Sequence, residues 1–314
     1  MKELRVVYNA PTHLLDWKVF KEDYMLEGSE PRLSTRNCYT VANGARRKSV
    51  LRLLACGTFM LVCLSSQVSG QRAASTASSG EPRQSAAALT PAVKSVVPKY
   101  VALGKTVRGR DLTAMVYGSG AKRVLIFAGI HGDEQHTTVL ARSIAVNLSS
   151  QTLPPNLTVI VVPDVNPDGL MASTRVNANG VDINRNFPSK TWRSDYIEQR
   201  HYPGLQPSSE PETRAVLDVI ERYPPHLVIT LHAALGCVNW DGPGGPLAQT
   251  LAAINGYPLC ASLGYETPGS LGLLMGIDRK TPTVTIELRP KGARAAVQEN
   301  LTAVLALLKH IAAN

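Results

Sequence analysis

His131-Gly-Asp-Glu134 sets an imidazole and a carboxylate three residues apart. At a turn from strand to helix such a pair can be aimed at one cation. A catalytic zinc commonly takes three protein ligands, two histidines and a glutamate among the known sets, and keeps one position for water. His232, which closes the apolar run Leu227-Val-Ile-Thr-Leu231, is the candidate third ligand; its bland alternative is a core histidine bonded to backbone. Activating water also requires a base that takes its proton and passes it to the leaving amine. Glu287, at the end of Thr283-Val-Thr-Ile286, is the candidate, the alternative being an ion pair with Arg289 or a neighbour.

A long polar connection separates these positions. It contains Asn166-Pro-Asp-Gly169 and runs through Arg175-Val-Asn-Ala-Asn-Gly-Val-Asp-Ile-Asn-Arg-Asn-Phe187. Loops of that length inside compact domains are usually functional. Asn184 and Arg185 are suited to clamp a substrate carboxylate, the arginine bidentately, and Arg175 to stabilise an oxyanion. Asp182 is suited to hold a zinc histidine by its second nitrogen.

The elements that must position these groups follow from apolar patterning. Val124–Ile130, Leu157–Val162, Leu227–Leu231 and Thr283–Ile286 are continuous apolar runs of strand type, and three of them run into a chemical residue. Glu134–Asn147, Glu210–Arg222 and Ala293–Ala313 have helical spacing. Buried strands alternating with helices predict a single-domain α/β/α sandwich with a mixed, largely parallel central sheet, which binds ligands beyond the carboxyl ends of its strands. The expected domain spans residues 96–314. His136, His201, His226 and His310 fall in helix-surface or loop contexts and carry no functional reading.

Taken together, His131-x-x-Glu134, Asn166-Pro-Asp-Gly169, Gly180-Val-Asp-Ile-Asn-Arg-Asn186, His232 and Thr285-x-Glu287 resemble the zinc metallocarboxypeptidases of the carboxypeptidase A type in order and spacing. The likeness is greatest to members that act on murein peptides. It rests on Arg175–Pro188, Ser209-Glu-Pro-Glu-Thr213 and Gly264-Tyr-Glu-Thr-Pro-Gly-Ser270. It implies one zinc ion per chain on His131, Glu134 and His232, with Glu287 as base. It also implies Asn184 and Arg185 on the terminal carboxylate, Arg175 on the oxyanion, and Tyr265 as a mobile active-site tyrosine. The implied substrate is a murein peptide cut at its γ-D-glutamyl–meso-diaminopimelate bond. A general zinc carboxypeptidase or a small-molecule deacylase on the same scaffold is the rival reading, and a catalytically silent wall-binding module a more distant one. Met275, Asn239 and Asp241 are candidate lining residues of the specificity pocket.

The net charge of +9 divides along the chain: the first 70 residues hold 10 Lys and Arg against 6 Asp and Glu, the remainder 23 against 18. The residual excess forms no run and argues against a nucleic-acid partner. Ala45-Arg-Arg-Lys48, the 12-residue apolar run Leu53–Leu64 and the small residues Ser65–Gly70 follow the plan of a secretory signal peptide within residues 1–70. That run is too short for a bilayer helix, so no stable membrane insertion is expected after cleavage. Residues 71–95, rich in Ala, Ser and Pro, read as a flexible linker. The expected location is periplasmic or secreted, where Cys237 and Cys260 form either one disulfide or two separate thiols.

Overall fold

The computed structural model describes residues 96–290 and 293–314; the expected signal peptide and linker lie outside them. The elements in chain order are β1 (Lys99–Lys105), β2 (Asp111–Gly118), β3 (Lys122–Phe127), α1 (Gln135–Ser149), β4 (Leu157–Val162), α2 (Pro167–Ala172), α3 (Pro211–Arg222), β5 (Leu227–Ala233), β6 (Cys237–Asp241), α4 (Gly245–Asn255), β7 (Leu259–Cys260), β8 (Thr283–Leu288) and α5 (Ala293–Ala313). The strands form one mixed sheet in the order β1-β2-β4-β3-β5-β8-β6-β7. Its centre, β4-β3-β5-β8, is parallel throughout.

Period-two alternation divides each central strand between two helical layers. Val124, Ile126, Leu227, Ile229, Val284 and Ile286 face α1, α4 and α5, while Leu125, Phe127 and Val228 face α3 and the loops beyond it. α1 presents Leu140, Ala141, Ile144 and Leu148 to the first layer, a stripe at helical spacing. Burial on both faces explains why these strands read as unbroken apolar runs.

Where chemistry is expected, one face of the sheet changes character. Thr230 and His232 on β5, Thr285 and Glu287 on β8, and Asn239 on β6 are buried polar residues on the side opposite α1, α4 and α5. Two of the expected boundaries move accordingly. β5 runs to Ala233 and β8 to Leu288, so His232 and Glu287 lie within paired strands, as direct register partners, rather than after them.

Candidate active site

His131 lies four residues beyond β3, on the turn that leads into α1. Glu134 is the N-cap of α1, yet its side chain makes no capping hydrogen bond. A cap carboxylate normally satisfies one of the orphan amides of the first turn; here it points away. Its Oε1 stands 2.7 Å from His131 Nδ1, and its Oε2 stands 3.1 Å from both His232 Nδ1 and the Ala233 amide. Thr137, in the first turn, accepts from the Gly129 amide and donates to the Glu134 carbonyl, tying the helix start to the end of β3. A local rule broken at one helix end is the mark of a residue held for function.

The two imidazoles meet Nδ1 to Nδ1 at 3.2 Å. Two ring nitrogens can share at most one proton, so the arrangement gathers lone pairs. His131, Glu134 and His232 each offer a ligand atom within 4.8 Å of the others, and all three are buried. Two imidazole nitrogens and one carboxylate form the donor set that suits a divalent zinc-like ion with an open position. Burial pulls the His131 imidazole down, but the Glu134 and Asp182 carboxylates outweigh it and hold the group at about 9. Burial likewise acts to raise Glu134, yet His131 and His232 keep it far below the usual carboxylate range. A cation would therefore replace a proton at His131, and binding would release it.

Asp182 stands behind the cluster with its side chain fully buried. Its Oδ1 lies 3.2 Å from His131 Nε2 and accepts from the Asn184 amide, while its Oδ2 accepts from Arg175 Nε at 3.0 Å. Against burial, which raises it, the positive neighbours His131 and Arg175 hold this carboxyl well below its ordinary value. Replacing it as Asp182→Asn keeps the volume and removes the charge that fixes the His131 tautomer. Zinc affinity is expected to fall about 10- to 100-fold, as read by competition with a chromophoric chelator; unchanged affinity would show that Asp182 does not support the ligand.

Arg175 reaches past Asp182 toward the cluster, its Nη1 3.3 Å from His131 Nδ1 and 3.7 Å from Glu134 Oε1. Arg185 is 5% exposed, and its guanidinium donates to the neighbouring Asn184 carbonyl at 2.8 Å. Asp182 is near enough to favour its charge but does not pair with it directly, and a buried cation without a direct carboxylate partner is costly unless a ligand supplies one. Asn184 accepts from the Leu271 amide at 3.0 Å, and its own amide stands 3.4 Å from His232 Nε2. Glu287 is 6% exposed and opens into the same cleft; burial raises its carboxyl above the ordinary range. Tyr265 is exposed on the rim of the cleft.

All nine candidate side chains except Asp182 line one cleft of about 860 Å³. Asn239 and Asp241 line it as well. Met275 does not: it is 1% exposed and packs in the apolar cluster with Leu271 and Leu274, because the π-type turn Leu273–Asp278 points it inward. His201, given no role from sequence, is on the cleft wall. The hydrogen-bonded pair Thr230–Thr285, 2.7 Å apart on the cleft floor, was also missed. Its signal was available in the Thr-x-His and Thr-x-Glu spacing, polar residues at period two inside apolar strands. Cys237 and Cys260 are both free thiols.

The Asn-Pro-Asp-Gly motif, for which the sequence supplied no role, braces the ligand turn. Asn166 caps α2 through the Gly169 amide at 2.9 Å, and its amide group is directed at the Ile130 and Arg175 carbonyls on either side of the site. Asp168 accepts from the Arg108 amide and pairs with Arg110, tying in the β1–β2 turn. Gly132, between the two ligands, lies so close to this brace that a Cβ there would stand 1.9 Å from the Gly169 carbonyl carbon. Neither backbone can yield without moving His131 or Asn166. Gly132→Ala is expected to cost more than the ~1–3 kcal/mol of ordinary overpacking, seen as a lower melting temperature together with lost zinc; a wild-type melt would remove the contact from the account.

Comparison with known proteins gives one picture. The zinc carboxypeptidase family model matches residues 87–243. Murein peptide amidase A of Escherichia coli (strain K12) is 38% identical over 197 residues, covering 59% of this chain and 78% of that protein. The Vibrio campbellii protein of the same name is 35% identical over 222 residues, covering 66% and 86%. Among solved structures, the murein-tripeptide amidase of Escherichia coli O157 superposes with a TM-score of 0.58 at 32% identity, over 70% of this chain and 95% of that one. Bovine thrombin-activatable fibrinolysis inhibitor, 21% identical with a TM-score of 0.61 over 68% of this chain and 90% of its own, shares the fold.

Proposed function

Because the chain belongs to the zinc carboxypeptidase family, and is thus a metallohydrolase, we propose that it is a murein peptide amidase that releases diaminopimelate from γ-D-glutamyl–meso-diaminopimelate peptides. The observation that carries the reading is the pairing of a His-Glu-His donor set with a buried Arg185, which has no carboxylate at ion-pair distance among the described residues, in one cleft. That combination suits an amide whose amine-side residue ends in a free carboxylate. Identity of 35–38% to two murein peptide amidases supports the substrate class.

Zinc bound by His131, Glu134 and His232 would supply a Lewis acid that polarises water and the substrate carbonyl. The chain's own residues do the rest. Arg185 and Asn184 hold the carboxylate of the departing residue and so set the scissile amide over the ligand cluster. Glu287 takes a proton from the attacking water and returns it to the amine nitrogen as the C–N bond breaks. Arg175, fixed by Asp182, faces the negative charge that gathers on the carbonyl oxygen. Tyr265, on the rim, covers the bound peptide. The basic, apolar and small-residue order of residues 45–70 supports export, so the enzyme meets its substrate at the wall.

The test is to incubate the full chain with L-Ala-γ-D-Glu-meso-diaminopimelate, with and without a chelator, and to assay free diaminopimelate. Chelator-sensitive release is expected. No release, alongside trimming of ordinary C-terminal peptides, would replace this reading by a general carboxypeptidase.

A further inference from the structure

A γ-linked glutamyl amide differs from an ordinary peptide in one respect that matters electrostatically. The residue on the acyl side keeps its own α-carboxylate, so the bond that breaks is flanked by anions on both sides. One belongs to the departing diamino acid and one to the glutamyl residue.

The cleft holds four guanidinium groups, and two are already committed. Arg175 is bonded to Asp182. Arg193 is bonded to Glu266 at 2.8 Å, with Asp195 at 3.5 Å. The two that remain, among the described residues, are Arg185 and Arg200. They have different neighbours. Arg185 is buried in the turn Ile183–Arg185, its guanidinium bonded to the Asn184 carbonyl. Arg200 belongs to the short 3₁₀ turn Gln199–His201, which lines the same cleft. The ion-pair partner of Arg200 is Asp133, 3.9 Å away, and its guanidinium makes no hydrogen bond among the described residues. Asp133 sits between the ligand residues His131 and Glu134, so this cation overhangs the ligand turn itself. His201 does not compete for the role: burial and then the neighbouring arginines lower its pKa, which favours the uncharged ring.

Two guanidiniums that line a hydrolytic centre without a carboxylate at hydrogen-bond distance match the two carboxylates that flank the scissile amide, and with Arg185 on the amine side Arg200 is left for the acyl side. Building on the substrate class proposed above, we infer that Arg200 binds the free α-carboxylate of the glutamyl residue and makes this enzyme selective for γ-linked over ordinary peptide bonds. Asp133 holds the guanidinium in place at a distance too long for a tight pair, and the substrate carboxylate completes it. Arg200 is thereby a specificity residue on the acyl side, complementary to Arg185 on the amine side.

The experiment compares two peptides that differ only at that carboxylate: L-Ala-γ-D-Glu-meso-diaminopimelate and the same peptide with the α-carboxylate converted to a carboxamide. Wild type should favour the acid by about tenfold or more in kcat/KM, and Arg200→Ala should bring the ratio to within about threefold of unity by slowing the acid alone. Arg200→Lys should recover part of the preference. Titration calorimetry of both peptides against the Glu287→Gln variant, with and without Arg200→Ala, gives the same comparison as binding without turnover. Equal preference in wild type and Arg200→Ala, or a substitution that slows both peptides alike, overturns the inference while leaving the substrate class intact. Failure of wild type to cleave either peptide overturns the substrate class, and the role of Arg200 with it.

Discussion

Glu287→Gln is expected to lower kcat by about 10²- to 10⁴-fold, the usual worth of a positioned general base, while zinc remains bound at wild-type stoichiometry. The substitution preserves shape and leaves the β5–β8 register untouched, since the backbone pairing of His232 with Glu287 does not depend on the side chain. What disappears is a carboxylate that can accept a proton, in a cleft that admits substrate but leaves this group only 6% exposed. The check is kcat at saturating substrate with metal content measured on the same sample. Activity within about tenfold of wild type would refute the assignment, because the other carboxylate of the cluster, Glu134, is occupied by both histidines and the Ala233 amide.

Loss of the metal should be more severe. Chelation, or His232→Ala, is expected to reduce turnover by at least about 10³-fold, since a bound cation supplies several kcal/mol of transition-state stabilisation. The two treatments separate on repair. Added zinc should restore the chelated wild type, whereas His232→Ala keeps only an imidazole and a carboxylate. Its Glu134 is also left with His131 as its one neighbouring ring. Atomic emission on dialysed protein reads the outcome; full zinc stoichiometry in the variant would remove His232 from the ligand set.

The four residues of the centre were legible because each is an ionisable group set against an apolar run, a juxtaposition that burial makes expensive and function explains. His131, Glu134 and His232 do converge, and Met275 does not join them. The outer sheet was harder to read. β1 and β2 carry Lys, Gly and Asp and are solvent-washed on one side; β6 has five residues with polar Asn239 and Asp241 among them; β7 has two. None supplies the unbroken apolar run that marked β3, β4, β5 and β8. α2 was hidden for a different reason, since its six residues begin inside Asn-Pro-Asp-Gly and resemble a turn. Contacts such as Gly132 against Gly169 were out of reach, because they depend on the approach of backbones 37 positions apart.

The register pairing of His232 with Glu287 separates two kinds of inheritance. Ladder hydrogen bonds set the spacing between metal ligand and base, and a one-residue slip of either strand would turn its own side chain into the apolar layer beneath. The walls that meet the substrate, residues 193–203 and 261–268, hang from turns and carry no such constraint. Descendants of this scaffold can therefore exchange those walls for others and acquire new diets while their reaction chemistry stays the same.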